Sequence, residues 1–306
     1  MKVCNLPLVS VIMNCYNGER FLKESIDSVY SQTYSNWEIV FWDNASIDNS
    51  ALIAKSYDRK IHYVLADKTT TLGKARGLAI KEASGKYIVF LDCDDIYLPK
   101  KIEKQVSFME SNEYSMCYAS AVIIDEKGKE LKKTLVKNQS GYCFPSLLRH
   151  YEVNIQTVMV RSSVLRSNNN TFQESLVYSP DYDLFMMIAS KSQVGVIKDF
   201  LVKYRISTGS LSKKCLELVY TENKFTLDRI LKTHSELEKK YYPEFNYAYL
   251  KLHYYKAIFF ISRGDNFNAR KQLLKTKWSD WRYIVLYIVL LFPIVKKKYL
   301  LRLVNR

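Results

Sequence analysis

Short apolar runs alternate with polar, helix-periodic stretches along the first hundred residues. Leu8 to Met13 is an apolar run suited to a buried strand, and the turn from Asn14 to Gly18 ends it. From about Glu19 to Ser31, Phe21, Leu22, Ile26 and Val29 fall on one face of a helix. Trp37 to Trp42 reads as a second strand ending at Asp43 and Asn44, followed by a polar loop and a helix near Asn49 to Tyr57. Ile61 to Ala66 is a third strand, Gly73 to Ala83 a helix with Gly85 as its C-cap, and Tyr87 to Leu91 a fourth strand. This alternation predicts a parallel sheet with helices on both faces. In such sheets ligands bind beyond the carboxyl ends of the strands. Tyr16, Asn17, Asp43, Asn44, Asp92 and Asp94 all fall at those ends, along one crevice.

From about Ser115 to Tyr204 the pattern is mixed. Strands are expected over Met116 to Ile124, Thr157 to Arg161 and Val194 to Ile197, and a helix near Tyr182 to Ser190. After Ser212 the chain turns helical, with periodic stretches at Leu216 to Lys240 and Glu244 to Ser262, then a turn at Gly264-Asp265 before Asn268 to Leu274. A boundary near residue 213 divides an α/β catalytic region, 1–212, from a helical region, 213–306.

The fourth strand stops at Asp92-Cys93-Asp94-Asp95, three carboxylates in four residues. Buried without partners they would be costly, but at a strand's carboxyl end they converge on one accessible point. That suits Mg²⁺ or Mn²⁺, which is held by one or two carboxylates and fills its other positions with water and substrate phosphates. The competing reading makes Asp95 an acidic start to a helix running through Lys100 and Lys104. A net charge of +15 over 306 residues points to an anionic partner: nucleic acid, nucleotide phosphates or a membrane surface. The six cysteines form no C-x-x-C pair and the four histidines have no metal-ligand spacing, so zinc is not expected and the thiols read as reduced and cytosolic. No secretory signal is expected either, since the first apolar run breaks at Asn14.

Four segments, in order and suitably spaced, resemble the nucleotide-binding half of family 2 glycosyltransferases. They are Val9 to Glu19 (VSVIMNCYNGE), Gln32-Thr33-Tyr34 leading into Trp42 to Asp48 (WDNASID), Leu72 to Arg76 (LGKAR), and Gly85-Lys86-Tyr87 running into the acidic cluster. The resemblance covers roughly residues 7–212 and implies the GT-A fold, a Rossmann-like, mixed but mainly parallel sheet with flanking helices, here with a C-terminal helical extension. It implies a nucleotide-sugar site built from Tyr16, Asn17, Glu19, Asp43, Asn44, Arg76, Asp92 and Arg205. Tyr16 would lie against the base, Asp43-Asn44 would border it, and Arg76 would reach base or phosphates. Asp92 and Asp94 would form the D-x-D metal motif for Mn²⁺ or Mg²⁺, Asp92 toward ribose and metal waters, Asp94 on the metal. Asp181, in Ser179-Pro180-Asp181-Tyr182-Asp183, matches the catalytic base, and Arg205 matches a late segment, Tyr204-Arg205 before Ser210-Leu211-Ser212, that closes over the diphosphate.

Three positions depart from the family pattern. Asn44 stands where a carboxylate is common, Pro180 where a glutamate is common, and Ser207 where a histidine often lies near the diphosphate. The chemistry that the resemblance implies is a single displacement at the anomeric carbon. A cation and a guanidinium would stabilise the leaving diphosphate, and a carboxylate would take the acceptor's proton, with inversion.

Tyr283 to Val295 is the most apolar stretch, 13 residues that reach roughly 20 Å as a helix against about 30 Å for a bilayer core. Trp278, Trp281 and Arg282 precede it, and Lys296-Lys297-Lys298, Arg302 and Arg306 lie in or after its end, with no acidic residue beyond Asp280. This pattern suits an interfacial or re-entrant anchor on an anionic cytoplasmic leaflet. A helix docked on the catalytic region is the alternative, and a full span extending to Leu303 is opposed by the lysines in its middle. An anchored enzyme fits a lipid-linked saccharide acceptor, and the family resemblance implies roles in surface-polysaccharide or lipopolysaccharide assembly, peripheral on the inner face of the plasma membrane.

Two other readings stand beside the transferase. A sugar nucleotidyltransferase would also bind a nucleotide on an α/β sheet, but usually carries a glycine-rich loop after the first strand, where Asn14-Cys15-Tyr16-Asn17-Gly18 has one glycine. A basic membrane- or nucleic-acid-binding module would explain the charge but not the acidic cluster, so no nucleic acid partner is expected.

Overall fold

The computed structural model describes residues 6–167, 171–207, 217–276 and 279–291. The described residues divide into two units, one of residues 6–144 and 152–207, the other of 145–151 together with the helices from 217 onward. The boundary expected near 213 lies within 208–216, outside the described residues. That the short segment 145–151 groups with the C-terminal helices has no counterpart in the sequence reading.

The first unit is built on a nine-stranded sheet. Strands β1 (Val9–Cys15), β2 (Trp37–Asp43), β3 (Ile61–Leu65) and β4 (Tyr87–Phe90) lie parallel in the order β3-β2-β1-β4. Beyond β4 the directions mix. β8 (Met159–Arg161) runs antiparallel to β4, β6 (Met116–Ile124) antiparallel to β8, and β9 (Val194–Arg205) parallel to β6. The short β5 (Ile96–Tyr97) pairs antiparallel with β9, and β7 (Glu130–Thr134) antiparallel with β6.

Alternation along β1 sends Val9, Val11, Met13 and Cys15 into one core with Leu22, Ile26 and Val29 of helix α1 (Glu19–Tyr30) and Ile102, Val106 and Met109 of α4 (Lys101–Glu110). On the opposite face Phe90 meets Phe172 and, from the helix Pro180–Lys191, Phe185, edge to face. Helices α2 (Ser50–Lys55) and α3 (Leu72–Lys81) connect the parallel strands.

Four local expectations are corrected. Helix α3 ends at Lys81 with Glu82 as its C-cap, so Gly85 is not its cap. Gly85 is required because β1 passes close by: its N–H donates to Ser10 Oγ at 2.8 Å, and a Cβ there would stand 2.7 Å from Ser10 N. Asp95 starts no helix, since α4 begins at Lys101 and Asp95 is buried against Arg205. The expected strand at Thr157 forms only over Met159–Arg161, because Ile155–Thr157 makes a 3₁₀ turn capped by Asn154. The long helix expected after Leu216 is broken at His234 into Leu218–Thr233 and Glu236–Lys240.

The second unit packs helices Tyr242–Ser262, Asn266–Lys275 and Trp281–Val289 around Ala257, Ile261, Ala269, Leu273, Tyr283, Leu286 and Leu290. Segment 145–151 is tied in by Arg149, which bonds Glu244 at 3.1 Å and accepts Lys251 Nζ at its carbonyl. The apolar tail therefore has one buried edge within its own unit, while Trp281, Ile284, Val285, Ile288 and Leu291 are exposed. No helix among the described residues is long and apolar enough to cross a membrane. Trp278, Lys296-Lys297-Lys298, Arg302 and Arg306 lie outside the described residues.

Candidate functional site

The carboxyl ends of β1 and β2 form two loops laced together. Asn17, left-handed at φ 53°, donates its N–H to Ser46 Oγ and accepts the Ile47 N–H on Oδ1. Ala45 is left-handed too, at φ 63°, in the partner loop. Gly18 N–H donates to Ser50 Oγ, Glu19 N–H to Asp48 Oδ2, and Glu19 Oε2 accepts both the backbone and side-chain N–H of Asn49. Non-glycine residues held in this backbone region are strained, and the lacing holds them there. Tyr16, on the same loop, is 56% exposed.

Asp43 and Asn44 are buried and their side chains are engaged by the protein. Asp43 accepts from Ser46 N–H and Tyr63 Oη, at 2.8 and 2.6 Å. The Asn44 amide oxygen accepts both the N–H and the hydroxyl of Thr70, and its Nδ2 donates to the Thr70 carbonyl. These groups fix the floor of the crevice; neither Asp43 oxygen nor the Asn44 oxygen stands unpartnered toward a base.

The acidic cluster follows β4. Asp92 is partly exposed, and its Oδ1 accepts Arg76 Nη2 at 2.9 Å. Arg76, buried on α3, also brings Nη1 to 4.0 Å from Asp181 Oδ1 at the start of the helix Pro180–Lys191. One guanidinium thus spans two carboxylates from segments about ninety residues apart. Burial raises the Asp181 carboxyl above its usual range while Arg76 pulls it down. Asp94 is pushed up to about 6 by burial and then by Asp92. Asp95 is buried; its Oδ1 accepts the Arg205 N–H at 2.7 Å, its Oδ2 has no hydrogen-bond partner, and burial raises it well above the ordinary range.

Arg205 does not face the crevice as a free cation, contrary to the expected diphosphate contact. Its side chain is 2% exposed. Nε donates to the Asp94 carbonyl, Nη1 to the carbonyls of Asp125 and Glu126, and Nη2 to Glu24, with Phe21 beneath the guanidinium. It straps the acidic loop. A residue the sequence reading passed over, Gln156, completes the surroundings of Asp92: it accepts the Asp92 N–H and donates to Asp92 Oδ2 at 2.6 Å. Its only sequence signal is a second amide, two residues after Asn154, in the alternating run Val153-Asn154-Ile155-Gln156-Thr157-Val158.

The oxygens of Asp92 and Asp94 are hard donors of the kind Mg²⁺ and Mn²⁺ take. Among the described residues no three acidic, histidine or cysteine side chains converge into a cage. A cation here would draw its remaining ligands from water and phosphate.

Residues 10–167 match the family model for Glycosyl transferase family 2. The chain is 33% identical over 271 residues to an uncharacterized glycosyltransferase, MJ1057, of Methanocaldococcus jannaschii, an alignment covering 83% of this chain and 88% of that one. It is also 33% identical over 208 residues to the UDP-Glc:alpha-D-GlcNAc-diphosphoundecaprenol beta-1,3-glucosyltransferase WfgD of Escherichia coli, covering 67% and 79%. Against some longer curated relatives the chain spans about a third of their length. Its fold is similar to that of S. aureus TarS 1–349 in complex with UDP-GlcNAc, at a TM-score of 0.69 and 19% identity, covering 88% of this chain and 80% of that one.

Proposed function

The chain belongs to glycosyl transferase family 2, and from that premise we propose that it is an inverting, metal-dependent transferase. It moves a sugar from a nucleoside-diphosphate sugar, UDP favoured, to a hydroxyl of a lipid-linked glycan in surface-polysaccharide assembly. The observation that carries this reading is the Arg76 bridge between Asp92 and Asp181. A carboxylate held that close to the donor-side cluster supports Asp181 as the base.

In the proposed reaction the acceptor oxygen bonds to the anomeric carbon as the bond from that carbon to the diphosphate oxygen breaks. The acceptor's proton passes to Asp181, and the electron pair of the broken bond leaves on the diphosphate. Burial makes Asp181 a stronger base than an ordinary aspartate, while Arg76 favours its charged form. Arg76, with donors on both sides of the crevice, is also placed to meet negative charge as it develops. Asp94, with Asp92, would hold Mn²⁺ or Mg²⁺, which when bound would neutralise the leaving diphosphate. The exposed Tyr16 would stack on the base. Asn17, Glu19, Asp43 and Asn44 would act through the loops they fix.

The names of the relatives support the donor and acceptor classes. WfgD is named for UDP-Glc and a diphosphoundecaprenol-linked acceptor, and the TarS complex contains UDP-GlcNAc. The exposed apolar edge of helix Trp281–Val289 and the basic residues that follow it in sequence support work at an anionic cytoplasmic leaflet.

The test is a melting panel with UDP, GDP, dTDP and CMP, each with and without Mn²⁺. A ligand at a hundred times its dissociation constant stabilises by about 2.7 kcal/mol. A Mn²⁺-dependent shift with UDP is expected; no shift with any nucleotide would overturn the reading.

A further inference from the structure

Gln156 is fully buried, yet both polar atoms of its amide serve a single residue. Its Oε1 accepts the Asp92 main-chain N–H at 3.0 Å, and its Nε2 donates to Asp92 Oδ2 at 2.6 Å. With Oδ1 on Arg76 at 2.9 Å, Asp92 is gripped at three points, one on its backbone and one on each oxygen. The grip comes from two separate elements, α3 and the turn Ile155–Thr157.

That turn is itself pinned from below. Asn154 Oδ1 accepts the Gln156 N–H at 2.9 Å, and Thr157 Oγ1 donates to the Asn154 carbonyl at 2.7 Å. Gln105, buried on α4, donates to the Thr157 carbonyl at 2.8 Å and accepts Lys101 Nζ on its own oxygen. A chain of buried polar groups therefore leads from α4 to Asp92. The orientation of the Gln156 amide is set by its two partners, because only the oxygen can accept the N–H and only the nitrogen can donate to the carboxylate.

We propose that Gln156 is a positioning residue, which holds Asp92 in the one orientation that the cation-bound nucleotide meets. The proposal rests on the transferase reading above. Without the clamp, repulsion from Asp94 would turn the Asp92 carboxylate outward, and the cation would meet a disordered partner. Groups that orient a metal's surroundings in this way typically change metal affinity 10–100-fold when lost.

The test compares full-length wild type with Gln156→Met, which keeps length and apolar volume but removes donor and acceptor. UDP binding is measured by calorimetry with and without Mn²⁺, beside thermal melting. The expected result is a cooperative melt and a Mn²⁺-dependent gain in UDP affinity that falls by about 10–100-fold. Gln156→Glu, nearly isosteric, replaces the donor with a carboxylate oxygen that repels Asp92 Oδ2 and gives the same loss; it decides the matter if Gln156→Met does not fold. A lower melting temperature with the full Mn²⁺-dependent gain retained would make Gln156 merely structural and overturn the proposal. Wild type with no Mn²⁺-dependent gain would overturn this proposal and the metal-dependent reading together, whereas UDP binding without Mn²⁺ would leave the transferase itself standing.

Discussion

Arg205 donates through Nε to the main-chain carbonyl of Asp94 at 2.8 Å, so the end of β9 holds the acidic loop from behind. Its own N–H serves Asp95 in the same loop. Arg205→Met keeps the aliphatic stem but abandons three carbonyls and Glu24. Hydrogen bonds to a charged donor contribute about 1.5–3 kcal/mol each, and a loss of at least about 2 kcal/mol in urea unfolding is expected, with weaker Mn²⁺–UDP binding alongside. Full stability with lost diphosphate affinity would return Arg205 to the substrate.

Asp94→Asn separates stability from function. The carboxyl rises from the usual 3.8 to about 6 in the folded chain, so between those values the native state holds the extra proton. Stability is then lost as pH climbs through that window. Above it, the ionised group costs on the order of 3 kcal/mol. At pH 7.5 without metal, Asp94→Asn is expected to melt higher than wild type and to lose its Mn²⁺-dependent nucleotide shift. A variant that melts lower and still responds to Mn²⁺ would contradict the assignment.

Arg76→Gln removes the positive partner that lowers the Asp181 carboxyl. The base then gains its charge only at higher pH, and the acid limb of the kcat/KM profile moves upward. An acid limb that stays in place while activity falls would take Asp181 out of the proton transfer.

Gly85→Ala tests the close approach of β1. The added Cβ would lie 2.7 Å from Ser10 N and 2.9 Å from the Leu8 carbonyl, both backbone atoms that cannot swing aside. A destabilisation of about 1–3 kcal/mol is expected from such overpacking, read as a lower urea midpoint. A cap role for Gly85 would predict a smaller cost.

The parallel half of the sheet was legible because each buried strand is a continuous apolar run cut off by Asn, Gly or Asp. Since β1, β2 and β4 run parallel, those polar breaks fall on one edge, and Tyr16, Asp43 and Asp92 could be grouped before any coordinates. The antiparallel half was less so. β7 is exposed along its whole length, its residues Glu-Leu-Lys-Lys-Thr carry no buried face, and only pairing with β6 makes it a strand. The directions of side chains were least legible. Arg205 reaches residues more than a hundred positions away in sequence, and Gln156 contacts Asp92 across 64 positions, so neither role leaves a local pattern. Asp181 was found by resemblance, but its link to Asp92 through Arg76 exists only in three dimensions.

Segment 145–151 gives the chain a topology that a single cut cannot divide. It leaves the catalytic unit, joins the helical one through Arg149 with Glu244, the Arg149 carbonyl with Lys251 and His150 with Tyr247, and returns at Glu152. Glu152 in turn accepts from Tyr118 and from the N–H groups of Lys137 and Asn138. A protease or a premature stop that removed everything after residue 207 would leave this loop without its partners, with the buried Leu147 and Leu148 beside the break. Loss of the distal helices would leave that segment without these contacts only a few residues before Asn154 and Gln156 in the chain.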